Sequence, residues 1–214
     1  MPLHEFQADC INLNRPLPRA CRRSPGSRAN RKGLQMHRLF VAVDIPDSIR
    51  QALAGMGFGL PGAKWVDPEQ LHLTVRFIGE VEGGLFHDIR ECLSELKSVG
   101  FSMRLKGVGH FPPRGTPRVI WVGIERNDSL ALLKKKLDSA LARVGAAPDG
   151  RKFSPHITLA RLKNTPAQKV GRFIAGNSLY ESEPFAVQNF RLYSSLLTPK
   201  GAIHTMEAEY PLTS

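Results

Sequence analysis

The sequence predicts an α+β protein in which helices lie outside mainly antiparallel sheets. Short apolar or alternating runs recur along it, and stretches of helical periodicity interrupt them. Several of these runs follow one another closely enough to pair as hairpins. One long stripe, Leu130, Leu133, Leu137, Ala140, Leu141 and Val144, repeats at helical spacing behind Asn127-Asp128-Ser129 and stops at Gly145.

The elements follow in order. Residues 39–43, all apolar, read as a buried strand, and Pro46-Asp47 opens a short helix running to Met56. Residues 71–78 alternate as a strand, and 85–99 read as a helix ended by Gly100. Strands are expected over 101–108 and 119–124, around a Pro/Gly/Arg loop at 110–117. After the long helix come a strand at 153–162, a short helix beyond Pro166, and final strands near 185–197 and 202–210. Lys134, Lys135 and Lys136 span too wide an arc to share one helix face and read as solvated surface.

Bulk properties narrow the function classes. The chain has 214 residues, enough for one large domain or two small lobes. Thirty Lys and Arg against 19 Asp and Glu leave a net charge of +11, which attracts polyanions or simply solvates the surface. No apolar run approaches the roughly 18 residues of a membrane span, so no membrane partner is expected. Cys10, Cys21 and Cys92 form no CxxC and are odd in number, which suits a reducing, cytoplasmic compartment rather than a disulfide or zinc framework.

Residues 1–35 differ from the rest. They carry seven basic side chains, Arg15 to Lys32, against Glu5 and Asp9, with several prolines and no apolar h-region. Too little apolar surface is present to offset ordering, so this segment is expected to be disordered. Met36 directly precedes a strong strand, and the segment reads as upstream sequence from a misplaced start. Its functional alternative is a basic arm gripping a polyanion.

The informative feature is a repeat. Leu71-His72-Leu73-Thr74-Val75 recurs as Pro155-His156-Ile157-Thr158-Leu159, each a His-x-Thr within an expected strand. Side chains alternate faces along a strand, so His72 and Thr74 share one face and His156 and Thr158 another. One copy would mean nothing, since a lone strand histidine is usually structural. Two copies look like opposite walls of a cleft.

The residue types suit opening a cyclic phosphodiester. One group must take a proton from water and another must protonate the departing oxygen. Imidazole titrates near pH 6.5, so a neutral and a protonated histidine coexist near neutrality. A threonine hydroxyl beside each can donate to a non-bridging oxygen as charge builds there. No metal or cofactor is required.

At these residues the sequence resembles the two-histidine phosphoesterases, specifically the bacterial and archaeal RNA 2′,3′-cyclic phosphodiesterases, also called 2′-5′ RNA ligases. The resemblance spans residues 36–214 and rests also on Arg38-Leu-Phe-Val-Ala-Val-Asp-Ile-Pro46, Gly109-His-Phe111 and Arg118-Val-Ile-Trp-Val-Gly123. It implies two pseudo-symmetric lobes around a central cleft, each presenting one motif. It further implies His72 as proton donor, His156 as proton acceptor, and Thr74 and Thr158 as phosphate ligands. The implied partner is RNA ending in a 2′,3′-cyclic phosphate, such as a tRNA fragment, opened to a 2′-phosphate by a monomer. Reversed chemistry would join RNA ends. Small cyclic nucleotides and 2′-5′ oligonucleotides present similar phosphates and stay open as substrates.

Other residues carry weaker expectations. Arg76 falls on the alternating face of His72 and Thr74, and Arg118 follows the Pro/Arg loop; either guanidinium suits a phosphate, or a surface salt bridge. Phe111 suits base stacking or local packing. Trp121 reads as core. His37, His87, His110 and His204 have no threonine at the required spacing and are assigned no chemistry, with His110 alone expected near the cleft. GxxxxGK[ST] and GxGxxG are absent, which argues against triphosphate-driven ligation. Two rivals remain: a metallohydrolase, which wants a further carboxylate, cysteine or histidine, and an idle RNA-binding module, which the charge alone would allow.

Overall fold

The computed structural model describes residues 36–57, 59–199 and 201–213. The expected disordered segment 1–35 lies outside the described residues, with Cys10 and Cys21 in it.

The first half begins with strand β1, Met36–Asp44, buried from Leu39 to Val43 as its apolar run requires. Helix α1, Asp47–Ala54, starts behind Pro46 and buries Ile49 and Leu53. Strand β2, Ala63–Trp65, was not apparent from its sequence; it leads into a 3₁₀ turn, Pro68–Gln70, where the Asp67 carboxylate accepts from the Glu69 amide at 3.0 Å. Strand β3, His72–Glu82, carries the first motif. Helix α2, Gly83–Ser94, ends earlier than the expected 85–99, because Val99 leaves it to bridge Thr213. The expected strand 101–108 divides at Arg104 into β4, Phe101–Met103, and β5, Leu105–Phe111, since the two pieces pair with different strands.

The second half repeats this order. Strand β6, Val119–Ile124, precedes helix α3, Asp128–Arg143, whose first turn is capped by the Asn127 side chain accepting from the Leu130 amide at 2.9 Å. Leu130, Leu133, Leu137, Ala140 and Leu141 are buried, as the stripe predicted. Strand β7, His156–Leu162, carries the second motif, and helix α4, Ala167–Gly176, follows. The last strands are β8, Phe185–Val187, β9, Asn189–Thr198, and β10, Gly201–Pro211.

Eight strands form one antiparallel sheet in the order β10-β9-β1-β3-β7-β6-β5, with β2 also against β7, while β4 and β8 form a separate pair. The two lobes are therefore halves of one sheet. Leaving aside β2 and the terminal β10, each half runs strand, helix, motif strand, helix, strand, strand, and each sends the last strand of that series to the other: β5 pairs with β6, and β9 with β1. Apolar faces of the helices and the inward side chains of β1, β3, β6 and β7 make one contiguous core. Among the described residues no helix is long and apolar enough to cross a membrane.

Both motif strands carry a bulge at the same place. β1 pairs Val41 with Arg76 and Ala42 with Thr74, skipping Val75; β6 pairs Ile120 with Ala160 and Trp121 with Thr158, skipping Leu159. A bulge reverses the face of every residue beyond it. In β3 this turns Arg76 into the core and Phe77 outward, against the strict alternation expected from the sequence.

Candidate active site

The motif strands meet at one registered pair, Leu73 opposite Ile157, both fully buried. Continuing that register places His72 opposite Thr158 and Thr74 opposite His156, all four on the face away from the helices. The imidazoles are then diagonal neighbours, about 7–8 Å apart at their origins on the strands, with a hydroxyl beside each. Beyond the crossing β2 takes over the edge of β7, with Trp65 opposite Ala160 and Lys64 opposite Arg161. A cavity of about 970 Å³ lies over this crossing, lined by His72, Thr74, His156 and Thr158 together.

The two histidines are held alike. Nδ1 of His72 lies 2.7 Å from the Gln70 carbonyl oxygen, and Nδ1 of His156 lies 2.7 Å from that of Ser154. A carbonyl only accepts, so each Nδ1 bears its hydrogen and each Nε2 is left to react. Nε2 of His72 is 3.1 Å from the Thr74 hydroxyl, which donates to it when the ring is neutral.

Their surroundings differ. His72 stacks on Phe40 at 5.0 Å and meets Tyr193 at 6.2 Å and the edge of His204 at 5.3 Å. The Tyr193 hydroxyl is fixed by Asp44 at 2.9 and 3.0 Å, and Asp44 is paired in turn with Arg191. Burial in this box lowers the His72 pKa from 6.5 to about 4, with His204, Arg50 and His156 adding to the effect against the Gln70 carbonyl. His156 instead meets the edge of Phe111 at 4.8 Å, with Trp121 at 6.4 Å behind. Trp121, expected in the core, is half-buried behind Phe111 and His156 and does not itself line the cavity. Its ring lies on Gly109, where a Cβ would come within 2.3 Å of the indole, so only glycine admits it.

Other expectations meet corrections. Arg76 is 2 % exposed and faces away from the cavity. It donates to the carbonyls of Phe77 and Ala147 and lies between Asp138 and Asp149, at 2.8 and 3.7 Å. It ties strand to loop and is no phosphate ligand, because the bulge turns it inward. Arg118 is exposed and absent from the cavity lining; its backbone pairs with Phe111 and Leu162 at the strand ends. Phe111 does line the cavity. His110 lies on a separate cavity of about 370 Å³ beside α4, so the histidine that joins the motifs is His204, not His110. Burial, then Arg161, lowers the His204 pKa. Lys134, expected in solvent, is half-buried on the cavity wall and paired with Asp138 at 2.5 Å.

Arg161 is the guanidinium that sequence reasoning missed. It stands five residues after His156, as Phe77 stands five after His72, and the matching bulges put both on the cavity wall. Six cationic side chains, Arg38, Lys64, Lys134, Arg151, Lys152 and Arg161, line the cavity against the carboxylates of Asp67 and Asp149, so the wall suits an anion. Among the described residues no three His, Cys, Asp or Glu side chains gather as metal ligands.

A duplicated α+β sheet presenting two His-x-Thr motifs to one groove defines a two-histidine phosphoesterase. The chain belongs to the LigT-like phosphoesterase family, whose pattern it matches twice, over residues 39–121 and 122–204, in keeping with the duplicated fold. It is 39% identical over 172 residues to the RNA 2′,3′-cyclic phosphodiesterase of Archaeoglobus fulgidus, spanning 78% of this chain and 96% of that one. With the RNA 2′,3′-cyclic phosphodiesterase of Thermotoga maritima it shares 36% over 176 residues, 78% and 91% of the two chains. The crystal structure of TT0787 from Thermus thermophilus matches with a TM-score of 0.70 at 30% identity, over 82% of this chain and 97% of that one. E. coli LigT complexed with 3′-AMP matches with a TM-score of 0.68 at 26% identity, over 84% and 100%.

Proposed function

We propose that this chain hydrolyses the 2′,3′-cyclic phosphate at the end of an RNA to a 2′-phosphate, using His72 and His156 as its acid–base pair. The observation that carries the reading is the pinning of both Nδ1 atoms to backbone carbonyls, which leaves two Nε2 atoms to one anion-favouring groove. Relatives across most of the chain are RNA 2′,3′-cyclic phosphodiesterases, which supports the same reaction here.

His156 takes a proton from water, the oxygen attacks phosphorus, and the P–O3′ bond breaks as His72 protonates O3′. Thr74 and Thr158 donate to the non-bridging oxygens, and Arg161, rather than Arg118, supplies the guanidinium. Burial favours the neutral form of His72. The acid role therefore depends on the phosphodiester anion, whose negative charge beside Nε2 draws a proton onto the ring. A 5′-hydroxyl in the place of water gives a 2′-5′ linkage instead. One P–O bond forms as one breaks, so no triphosphate is consumed. No step calls on a metal, and turnover is expected to survive dialysis against EDTA. The buried free thiol of Cys92 fits a reducing cytoplasm, and a monomer suffices because every residue used comes from one chain.

Alanine at His72 or at His156 is expected to slow turnover of a cyclic-phosphate-ended oligonucleotide by about 10²–10⁴-fold. Sulfur in place of O3′ leaves without a proton, so this substrate should restore His72→Ala and not His156→Ala. Restoration of His156→Ala instead would exchange the two roles. Full turnover in both alanine variants on the oxygen substrate would end the two-histidine reading.

A further inference from the structure

One end of the large sheet is built from segments that carry no carboxylate. Residues 55–66, 112–124 and 157–180 hold none of the 19 Asp and Glu, and the three meet where β6 starts and β7 stops. The Arg118 carbonyl accepts from the Leu162 amide at 2.8 Å, the Gly62 carbonyl from the Lys163 amide at 2.9 Å, and the Pro61 carbonyl from the Thr165 hydroxyl at 2.9 Å. Arg114, Arg118, Arg161, Lys163, Lys169 and Arg172 are all exposed at this end. None of the six makes an ion pair among the described residues, whereas Arg76, Arg104, Lys106 and Lys134 elsewhere in the fold each meet a carboxylate.

Arg161 joins this surface to the reacting centre. It lines the cavity beyond Thr158 and stands in register between Lys64 of β2 and Val119 of β6, next to Arg118. Past it, a hollow of about 370 Å³ separates the 112–118 loop from α4. Arg114 stands between Pro113 and Gly115 of the loop wall, and Lys169 and Arg172 flank Val170 and Gly171 of the helix wall. A Cβ on Gly115 or Gly171 would meet nothing within 4 Å, so another chain can approach both walls closely. No phenylalanine, tyrosine or tryptophan lines the hollow, which therefore offers no platform for stacking a base.

We infer that this surface, from Arg118 and Lys163 to Arg114, Lys169 and Arg172, grips the sugar–phosphate backbone of the RNA body that precedes the cyclic end. It rests on the reaction proposed above for where that end sits and goes further, since it names long RNA, held without base reading, as the favoured substrate class. O3′ leaves beside His72, so the terminal ribose lies on the His72 side of phosphorus and the chain 5′ to it departs by that side. Arg161 stands there, and the unpaired cations continue from it. Exposed cations with no ring beside them hold phosphates by charge, which fixes position and carries no sequence information.

The test uses the full chain with two substrates, a hairpin RNA ending in a 2′,3′-cyclic phosphate and 2′,3′-cyclic AMP. Arg114→Gln/Arg118→Gln and Lys169→Gln/Arg172→Gln should each raise KM for the hairpin about tenfold and leave its kcat unchanged. Unchanged turnover of cyclic AMP reports that each variant is folded. Binding of the same hairpin carrying a 2′-phosphate needs no turnover; it should weaken in parallel, with the slope of log Kd against log salt shallower by about one for each cation removed. Lys97→Gln/Lys135→Gln removes two exposed cations beside α2 and on α3, controls for net charge, and should alter neither measurement. Hairpin affinity unchanged in both surface variants, or lowered as far by the control pair, would overturn the inference. A strong preference among hairpins of one shape but different sequence would overturn it too, by showing that bases are read. A wild type that binds the hairpin but opens neither cyclic phosphate would instead strike the reaction itself, while the binding series still decides the surface.

Discussion

His72 shows how far one side chain's setting departs from what its sequence reveals. Its box of Phe40, Tyr193 and His204 is assembled from three strands, none adjacent to it in sequence. The ring titrates at 6.5 in the unfolded chain and at about 4 when folded. Between those values the unfolded chain binds a proton that the folded one does not, so stability rises with pH through this window and is lost as pH falls. The shift is worth on the order of 1–3 kcal/mol, at the low end because the ring is only half-buried from water. Urea midpoints at pH 4.5 and 7 should therefore differ less in His72→Gln than in the wild type; equal differences would show that the box does not desolvate this ring. The motifs themselves were legible because type and spacing repeat, and Thr74 and Thr158 came with them. His204 was not, since it reaches the site through the pairing of β10 with β9 and β9 with β1.

At the scale of the strand, the bulge decides which side chains face the substrate. Period-two alternation is all a sequence offers for a strand, and one skipped residue exchanges Arg76 with Phe77 and brings Arg161 to the cavity. Arg76 then anchors the loop carrying Arg151 and Lys152, through the Ala147 carbonyl and Asp149. Arg76→Ala orphans that carbonyl and leaves Asp149 to Arg151 alone. It should cost about 2–4 kcal/mol, less than a wholly buried pair, because Asp138 stays partly in water and keeps Lys134. Chemical denaturation checks this. An unaltered midpoint with lost turnover would return Arg76 to the phosphate. Elements with strong local periodicity, such as α3 and β6, were legible almost to the residue. β2, and the divisions at Arg104 and between β8 and β9, were not, because partners elsewhere in the chain define them.

For the whole molecule, the exchange of β5 and β9 makes the two halves mutually dependent. β1 and β3 lie between β9 and β7, both from the second half, and β6 lies between β5 and β7, so each half alone exposes sheet edges and apolar faces that the other covers. A break in the exposed 112–116 stretch between β5 and β6 cuts no strand and leaves each fragment with one histidine of the pair. Neither fragment, 36–115 or 116–214, should show a cooperative thermal transition by circular dichroism, since neither can close its core. Mixed, they should assemble through the β5–β6, β1–β9 and β3–β7 ladders and regain turnover with a rate that depends on the concentration of both. The Leu73–Ile157 contact forms only in that assembly, and with it the opposition of the two imidazoles. A fragment that melts cooperatively alone, or hydrolyses the cyclic phosphate with a single histidine, would show that duplication produced two self-sufficient lobes, and that the groove between them is not where the chemistry happens.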